Sequence, residues 1–227
     1  MYKKLFDLDK QKNMRDFFLN NLSKKGKLIT YKKNDTINHI NINELIIVVS
    51  GKVKVITFTI SGQEKVLFYL RSGEIDGEIS YFGDEHIHSK IIALEDSVIS
   101  HISYDILTDV ISEYPEYYSF FIHSIIRKYR IALSQIYDFL AENPKVRIAS
   151  TLYRLATQTP KYIDGRQTID LLLTHQELAN LIGCSRVTVT RILKELKNEG
   201  IIDTKTKEIY INDIEKLKKL SGIYDDE

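Results

Sequence analysis

The sequence contains a single cysteine, Cys184, among its 227 residues. A disulfide framework, a four-thiolate zinc site and the ligand set of an iron–sulfur cluster each need several cysteines. These three kinds of site are therefore excluded.

Long apolar runs are also missing. No stretch approaches the roughly 20 apolar residues that cross a bilayer. Residues 1–12 are charged where a secretory signal would be apolar. We therefore expect no membrane partner and a cytoplasmic location.

An excess of charge of one sign is absent as well, because 32 Lys and Arg against 31 Asp and Glu give a net charge of +1. A nucleic-acid partner must therefore be argued from local clusters of basic residues. The sequence also has no nucleophile elbow, phosphate loop, zinc-protease helix or paired acid and base. We predict a non-enzymatic protein without catalytic residues.

The first half of the chain has the pattern of an antiparallel β domain. Short β-branched runs lie at residues 28–31, 45–49, 53–58, 65–69 and 90–100. Ser-Gly pairs break the sequence at 50–51, 61–62 and 72–73, at the short spacing of a barrel-like roll. The first 25 residues have loosely helical apolar spacing and predict a short docked helix or two.

A long helix is predicted after Pro115, over residues 116–141. Its apolar residues step by three and four as in a coiled-coil seam, and they are Ile122, Ile125, Tyr129, Ala132, Ile136 and Phe139. A second apolar stripe holds Ile126, Leu133, Tyr137 and Leu140. Two apolar faces need two surfaces to pack against. We expect one face to pack on the β-roll, and the other to pack on the equivalent helix of a second subunit. The alternative is a helix buried within one domain.

Asn143 and Pro144 end this helix, because proline cannot continue it and disfavours helical geometry in the residue before. We place a domain boundary there. The predicted parts are a β-roll domain at 1–115, a dimerisation helix at 116–142 and a third domain at 143–227. A helix over 145–158 and a turn at Asp164-Gly165 open the third domain.

Residues 173–200 have the signals of two short helices joined by a tight turn. Thr174, with Glu177 three residues on, forms a capping box for the first helix. Gly183 stands where the chain must turn in left-handed geometry, and Ser185 is placed to cap the second helix. Short extended segments at 201–202 and 209–211 flank a basic turn and predict a wing.

The second of these helices separates apolar from basic residues. Its apolar side holds Val189, Ile192, Leu193 and Leu196, and its outer side holds Arg186, Thr190, Arg191, Lys194 and Lys197. The major groove of DNA admits one helix, and its base edges pair with multidentate donors such as arginine. The alternative is an ordinary helical hairpin with a solvated basic face. A ligand-binding module without DNA contact would leave Arg186 and Arg191 unexplained.

At these residues the chain resembles a known family, the Crp/Fnr transcription regulators, over essentially its whole length. Residues 183–193 are similar to the family's recognition helix, 49–53 to its first β-roll turn, and 77–79 with Ser89 to its effector loop. The resemblance implies an α+β fold. It consists of an N-terminal antiparallel β-roll like the cyclic-nucleotide-binding domain, a long dimerisation helix and a C-terminal winged helix-turn-helix.

On this basis we predict two sets of site residues besides the dimer seam. The DNA-binding residues are Thr174, Gln176, Ser185, Arg186, Val187, Thr188, Arg191 and Lys194. The effector-binding residues are Glu78, Tyr81, Phe82, His88, Ser89 and Tyr129. The resemblance implies a homodimer on a near-palindromic operator, with double-stranded DNA and RNA polymerase as partners.

The chain departs from the cyclic-AMP-responsive members of this family. They hold the phosphate with an arginine where this chain has His88, and they offer hydroxyls to the base where it has Ala132 and Leu133. A neutral imidazole replaces a charged guanidinium fork poorly on a phosphate. We therefore predict no resident cofactor and a small-molecule effector other than cyclic AMP.

The cyclic-AMP-responsive members also carry a glutamate where this chain has Val187. A valine can contact a thymine methyl, so we expect an A·T base pair at the matching operator position.

Metal and redox sensing are the remaining alternatives. The oxygen-sensing members resemble this chain equally well in the DNA-binding half, but they need cysteines that it lacks. His86 and His88 would face the same way on a strand, as a metal or haem requires, yet no third ligand with recognisable spacing accompanies them. We predict no metal. Cys184 matches a cysteine common in the family's turn, so we predict a buried structural thiol there.

The sequence therefore predicts an effector-responsive, sequence-specific DNA-binding transcription regulator. The alternative is a regulator that works without an effector and is controlled by its abundance.

Overall fold

The computed structural model describes residues 7–38, 43–58, 60, 62, 64–83, 89–140, 143–158, 160–205 and 207–222. The chain divides into two compact units, one from Asp7 to Ile131 and one from Ala132 onward.

The first unit contains two four-stranded antiparallel sheets, which confirm the predicted roll. Its strands are β1 (Lys27–Tyr31), β2 (Thr36–Ile37), β3 (Glu44–Ser50), β4 (Lys52–Phe58), β5 (Glu64–Arg71), β6 (Ile75–Asp76), β7 (Lys90–Ala93) and β8 (Ser97–Ser103). One sheet has the strand order β1-β8-β3-β6 and the other has the order β2-β7-β4-β5. The predicted single run at 90–100 is two strands, because residues 94–96 bend between β7 and β8.

Helices cover part of this roll. They are α1 (Leu8–Asn20), α2 (Glu78–Gly83), α3 (Tyr104–Glu113) and the long helix α4 (Tyr118–Leu140), with short 3₁₀ turns at Leu22–Lys25 and Pro115–Tyr117. The predicted N-terminal helix is α1, whereas α2 and α3 were not predicted.

Strand β3 is buried on both faces, which explains its continuous apolar sequence. Leu45 and Ile47 belong to a core with Phe18 of α1 and Phe121 of α4. Ile46 and Val48 point the other way, into a core shared by the two sheets. The strand therefore joins the inside of the roll to the helices that cover it.

Helix α4 confirms the long helix predicted after Pro115, but its buried face is not an apolar stripe. The buried residues of its segment 118–131 are Phe121, Ser124, Arg127, Lys128 and Ile131. The exposed ones along its length include Ile122, Ile126, Tyr129, Ile136, Tyr137, Phe139 and Leu140. The expectation that one apolar stripe packs on the roll is wrong, because the roll presents carboxylates that bind Arg127 and Lys128.

The second unit has the elements of a winged helix-turn-helix. They are α5 (Pro144–Gln158), β9 (Lys161–Ile163), β10 (Arg166–Thr168), α6 (His175–Ile182), α7 (Arg186–Asn198), β11 (Ile202–Lys205), β12 (Glu208–Ile211) and α8 (Ile214–Leu220). The strands form one antiparallel sheet in the order β11-β12-β10-β9. The predicted helix at 145–158, the turn at Asp164-Gly165 and the wing strands are confirmed, and α8 was not predicted.

Candidate DNA interface and effector site

The capping box predicted at the start of α6 is present. Thr174 Oγ1 accepts a hydrogen bond from the backbone N–H of Glu177 at 3.1 Å. The Glu177 carboxylate in return accepts one from the backbone N–H of Thr174 at 2.7 Å. This reciprocal pair fixes where α6 begins.

The turn between α6 and α7 has the predicted geometry. Gly183 lies in the left-handed region, with φ 74° and ψ 43°. Ser185 then caps α7, because its Oγ accepts a hydrogen bond from the backbone N–H of Thr188 at 3.1 Å. Cys184, between them, is half-buried, and burial raises the pKa of its thiol. A raised pKa makes the thiol less reactive.

Helix α7 presents a polar and basic face to solvent. The buried residues are Val189, Ile192, Leu193 and Leu196, as predicted. The exposed ones are Arg186, Thr190, Arg191, Lys194 and Lys197. Val187 shares the outer face and is 78% exposed. This combination of arginines, hydroxyls and one apolar side chain is suited to the edges of bases in a major groove.

A chain of hydrogen bonds ties α6 to α7. The Thr190 hydroxyl donates to the Arg186 carbonyl at 2.9 Å, so its oxygen is left to accept from the Nδ1–H of His175 at 2.8 Å. His175 was not among the predicted residues. Its position directly after the capping Thr174 is the signal that would have indicated it.

A cleft of about 510 Å³ lies between these helices and the wing formed by β11 and β12. Three residues predicted to bind DNA, Thr174, Gln176 and Arg186, line it together with Lys205 and Lys207 of the wing. The two lysines and Arg186 are exposed cations. Cations along a groove attract the phosphates of a DNA backbone. The sequence predicted a basic wing, but not that it shares a cleft with α6.

In the first unit, Glu78 is fully buried and its carboxylate is already bound by α4. Lys128 Nζ lies 2.8 Å from Glu78 Oε1 and 2.9 Å from Asp76 Oδ1. The Ser124 hydroxyl donates to Glu78 Oε1 at 2.8 Å. Lys128 and Ser124 were not predicted; their spacing of four residues on one helix face is the available signal.

The charges in this cluster shift each other's pKa. Burial raises the pKa of the Glu78 carboxyl, against the opposing effect of Lys128. Burial also disfavours the Lys128 ammonium, but the carboxylates of Asp76 and Glu78 outweigh it and raise the pKa of Lys128. One ammonium therefore stays charged between two carboxyl groups.

A second buried cluster lies next to the first. Glu74 accepts hydrogen bonds from Arg15 at 2.6 Å and from Gln11 at 2.9 Å, and Arg127 Nη2 lies 3.2 Å from the same oxygen. Burial opposes the charge of Glu74, but the arginines, including Arg71, outweigh burial and lower its pKa to about 2. The two clusters bind α4 to the roll through ion pairs.

Of the other predicted effector residues, Tyr81 and Phe82 contact residues outside the predicted set. The Tyr81 ring packs edge-on against Tyr104, and its hydroxyl is hydrogen-bonded to Thr108. The Phe82 ring contacts Phe121. Ser89 is half-buried just before β7, Tyr129 is exposed on α4, and His88, like His86, lies outside the described residues.

Comparisons with known proteins match both halves of the chain. A model of the cyclic nucleotide-binding domain matches residues 28–114, and one of the Crp-like helix-turn-helix domain matches residues 146–220. The cAMP-activated global transcriptional regulator CRP of Haemophilus influenzae is 30% identical over 165 residues, which are 72% of this chain and 73% of that protein. The chain belongs to the Crp/Fnr family of transcription regulators.

Solved structures agree with this Crp/Fnr fold. A CooA mutant from Carboxydothermus hydrogenoformans gives a TM-score of 0.75 at 22% identity, over 90% of this chain and 94% of that one. FixK2 from Bradyrhizobium japonicum gives 0.73 at 15% identity, over 88% and 98%. The predicted α+β fold is confirmed, and the Crp/Fnr regulator is a DNA-binding protein rather than an enzyme.

Every helix in the described ranges is too short or too polar to cross a membrane. Within the same ranges, no three or more His, Cys, Asp or Glu side chains are grouped to hold a metal ion.

Proposed function

We propose that this Crp/Fnr regulator binds a near-palindromic operator as a homodimer and that a small-molecule effector sets its affinity. The observation that carries the proposal is the outer face of α7, where Arg186, Val187 and Arg191 are exposed. The basic cleft beside it gives the phosphate backbone a place to lie.

The dimer is proposed from α4. Ile122, Tyr129 and Ile136 are each more than half exposed, at 52%, 60% and 56%. Large apolar side chains aligned along one helix mark an interaction surface, and their coiled-coil spacing suits a second copy of α4. Ile125, Ala132 and Phe139 complete the proposed seam.

The two-fold symmetry of such a dimer gives the operator its form. Two copies of α7 would enter successive major grooves, with half-sites about 34 Å or ten base pairs apart. We propose that Arg191 reads a base, that Val187 contacts a thymine methyl, and that Arg186, Thr188 and Lys194 hold phosphates. Thr174, Gln176 and Ser185 complete the proposed contact set.

The test begins by selecting the best-bound duplex from a random DNA pool with the full chain. Sedimentation of the complex should then give two chains per duplex. Ile122→Asp and Ile136→Asp should each give monomers that stay folded, because both side chains are exposed in the single chain. Leu172→Asp is the control. Leu172 is an exposed apolar residue outside α4, so this variant should stay dimeric. A wild-type monomer on DNA would contradict the dimer.

We further propose that the effector is not cyclic AMP, although the relative from Haemophilus influenzae is named as cAMP-activated. Lys128 already forms an ion pair with the Glu78 carboxylate. Ala132 and Leu133 have no hydroxyl that could bind the adenine base of cyclic AMP. A flatter and more apolar ligand suits the aromatic residues of α2. Calorimetry should detect no cyclic AMP binding; micromolar binding that strengthens DNA affinity would contradict this.

RNA polymerase is the protein partner that we propose, on the basis of family membership. We propose the cytoplasm as the location, because this partner and the DNA act together there. Retention of the polymerase by the DNA-bound regulator, and not by DNA alone, is the test.

The burial of Glu78 favours a second candidate, a regulator that works without an effector. Lys128 and Ser124 satisfy the Glu78 carboxylate from within the chain. In that case Glu78→Gln and Ser89→Ala should leave the DNA affinity of purified protein unchanged. A metabolite that raises the melting temperature and alters DNA affinity would favour the effector-responsive candidate.

A further inference from the structure

Helix α7 carries four basic residues and one acid, Glu195, in the sequence Arg186–Asn198. Residues four apart on a helix lie on one row, so Val187, Arg191 and Glu195 share the outer face. Arg191 Nη1 lies 2.5 Å from Glu195 Oε1, with the two side chains 63% and 39% exposed. The acid is thus bound to the arginine proposed to read a base.

Helix stability does not account for this pair. An exposed ion pair contributes little to folding. An acid near the C-terminal end of a helix opposes the helix dipole, and the order of arginine before glutamate is the less favourable one. A carboxylate on a DNA-facing surface also repels phosphates. Glu195 therefore adds little to helix stability and opposes DNA binding in general, and its specific effect is to hold the Arg191 guanidinium.

We propose that Glu195 is a positioning residue that gives Arg191 its base specificity. A guanidinium has five N–H donors, so one bond to Glu195 leaves enough for a bidentate pair with guanine O6 and N7. Holding the fork in place reduces its freedom to turn toward a phosphate. The negative charge of Glu195 also weakens binding to DNA without the matching guanine. This inference rests on the proposed function, because it takes Arg191 to be a base reader.

The test uses the full chain, the duplex selected by the wild type, its single base-pair variants and a random-sequence duplex. Arg191→Ala identifies the base pair that Arg191 reads, as the position where the variant no longer discriminates. Glu195→Gln and Glu195→Ala are then measured on the same duplexes by fluorescence anisotropy. Discrimination at that base pair should fall at least about fivefold for both, and random-duplex affinity should rise. Melting temperatures should remain those of the wild type.

Glu199→Gln is the matched control. Glu199 follows the end of α7, is exposed, and pairs with Lys145 at 2.6 Å rather than with Arg191. The Glu199→Gln substitution removes one negative charge, as Glu195→Gln does, but leaves the Arg191 guanidinium in place. Discrimination at the Arg191 base pair should therefore not change.

Three outcomes would overturn the inference. Unchanged discrimination in both Glu195 variants would show that the pair has no role in reading. An equal effect of Glu199→Gln would reduce Glu195 to a general charge. Loss of discrimination at a different base pair would make Glu195 a reader itself, because a carboxylate accepts a hydrogen bond from cytosine. If the pool yields no selected duplex at all, the proposed function fails instead.

Discussion

Phe139, near the end of α4, lies against Gly183, the glycine that turns the helix-turn-helix. A Cβ atom added at Gly183 would be 2.7 Å from Cε1 and 2.9 Å from Cζ of the Phe139 ring. Gly183 also has a φ of +74°. The backbone conformation therefore requires glycine at this turn, and the Phe139 ring would have to move to admit a Cβ atom. A residue proposed for the dimer seam thus contacts the turn that precedes α7.

We expect Gly183→Ala to lower the free energy of unfolding more than Gly200→Ala does. Gly200, after α7, has a φ of +71° and nothing within 4 Å of an added Cβ. Its substitution measures left-handed strain alone, about 1–2 kcal/mol, and the Phe139 ring should add about 1 kcal/mol more at Gly183. Urea unfolding gives both values. In a Phe139→Ala background, Gly183→Ala should cost no more than Gly200→Ala does. If the excess persists there, the ring is not its source.

The helix-turn-helix was predictable because its signals are local. Thr174 and Glu177 are three residues apart, as are Ser185 and Thr188, so each cap is encoded within one turn of helix. Gly183 marks the turn by its own conformational freedom. These local signals set where α6 ends, where α7 begins and how the chain turns between them.

The buried ion pairs were not predictable in the same way. Lys128 and Glu78 are 50 positions apart in the sequence, and Arg15 and Glu74 are 59 apart. Apolar periodicity identified α4 but assigned its buried face to the wrong residues, since a buried lysine has the same sequence pattern as an exposed one. Tertiary pairing with the carboxylates of the roll decides that face. The two-residue strands β2 and β6 are too short to leave a pattern.

Glu74→Gln should destabilise the protein in a pH-dependent way. A pKa held at about 2 instead of 4.5 corresponds to about 3 kcal/mol of folding free energy. Because the folded pKa is the lower one, this stability is present above pH 4.5 and is lost as the pH falls toward 2. Urea unfolding should show a difference of about 3 kcal/mol from wild type at pH 7, and a much smaller one near pH 2.5.

Glu64→Gln is the control for the previous measurement. Glu64 pairs with Lys54 at 2.6 Å, but a quarter of its side chain is exposed. We expect its effect to be below about 1 kcal/mol at pH 7. A Glu74→Gln effect as small as this, or one that does not change with pH, would contradict the assigned role of the arginines around Glu74.

Lys128→Met should destabilise the first unit by about 3–5 kcal/mol, because it leaves the buried carboxyl group of Glu78 and the partly buried one of Asp76 without their cation. The triple variant Lys128→Met, Asp76→Asn, Glu78→Gln removes the charges together and should recover much of the loss. Urea unfolding at pH 7 measures both. If the triple variant is no more stable than Lys128→Met, then the unpaired charges are not the cause of the loss.

Arg191→Ala and Lys207→Ala should separate base reading from phosphate binding. We expect Arg191→Ala to cost about 1–3 kcal/mol on the selected duplex and little on a random one, because random DNA lacks the guanine contact. Lys207, exposed on the wall of the cleft, should act on phosphates. Lys207→Ala should weaken binding to both duplexes alike. It should also reduce the slope of log K against log salt concentration by about one, because one phosphate contact is lost. Anisotropy titrations at several salt concentrations test both variants. Equal losses on the two duplexes for Arg191→Ala would make Arg191 a phosphate contact and leave the reading of bases to Val187 and its neighbours.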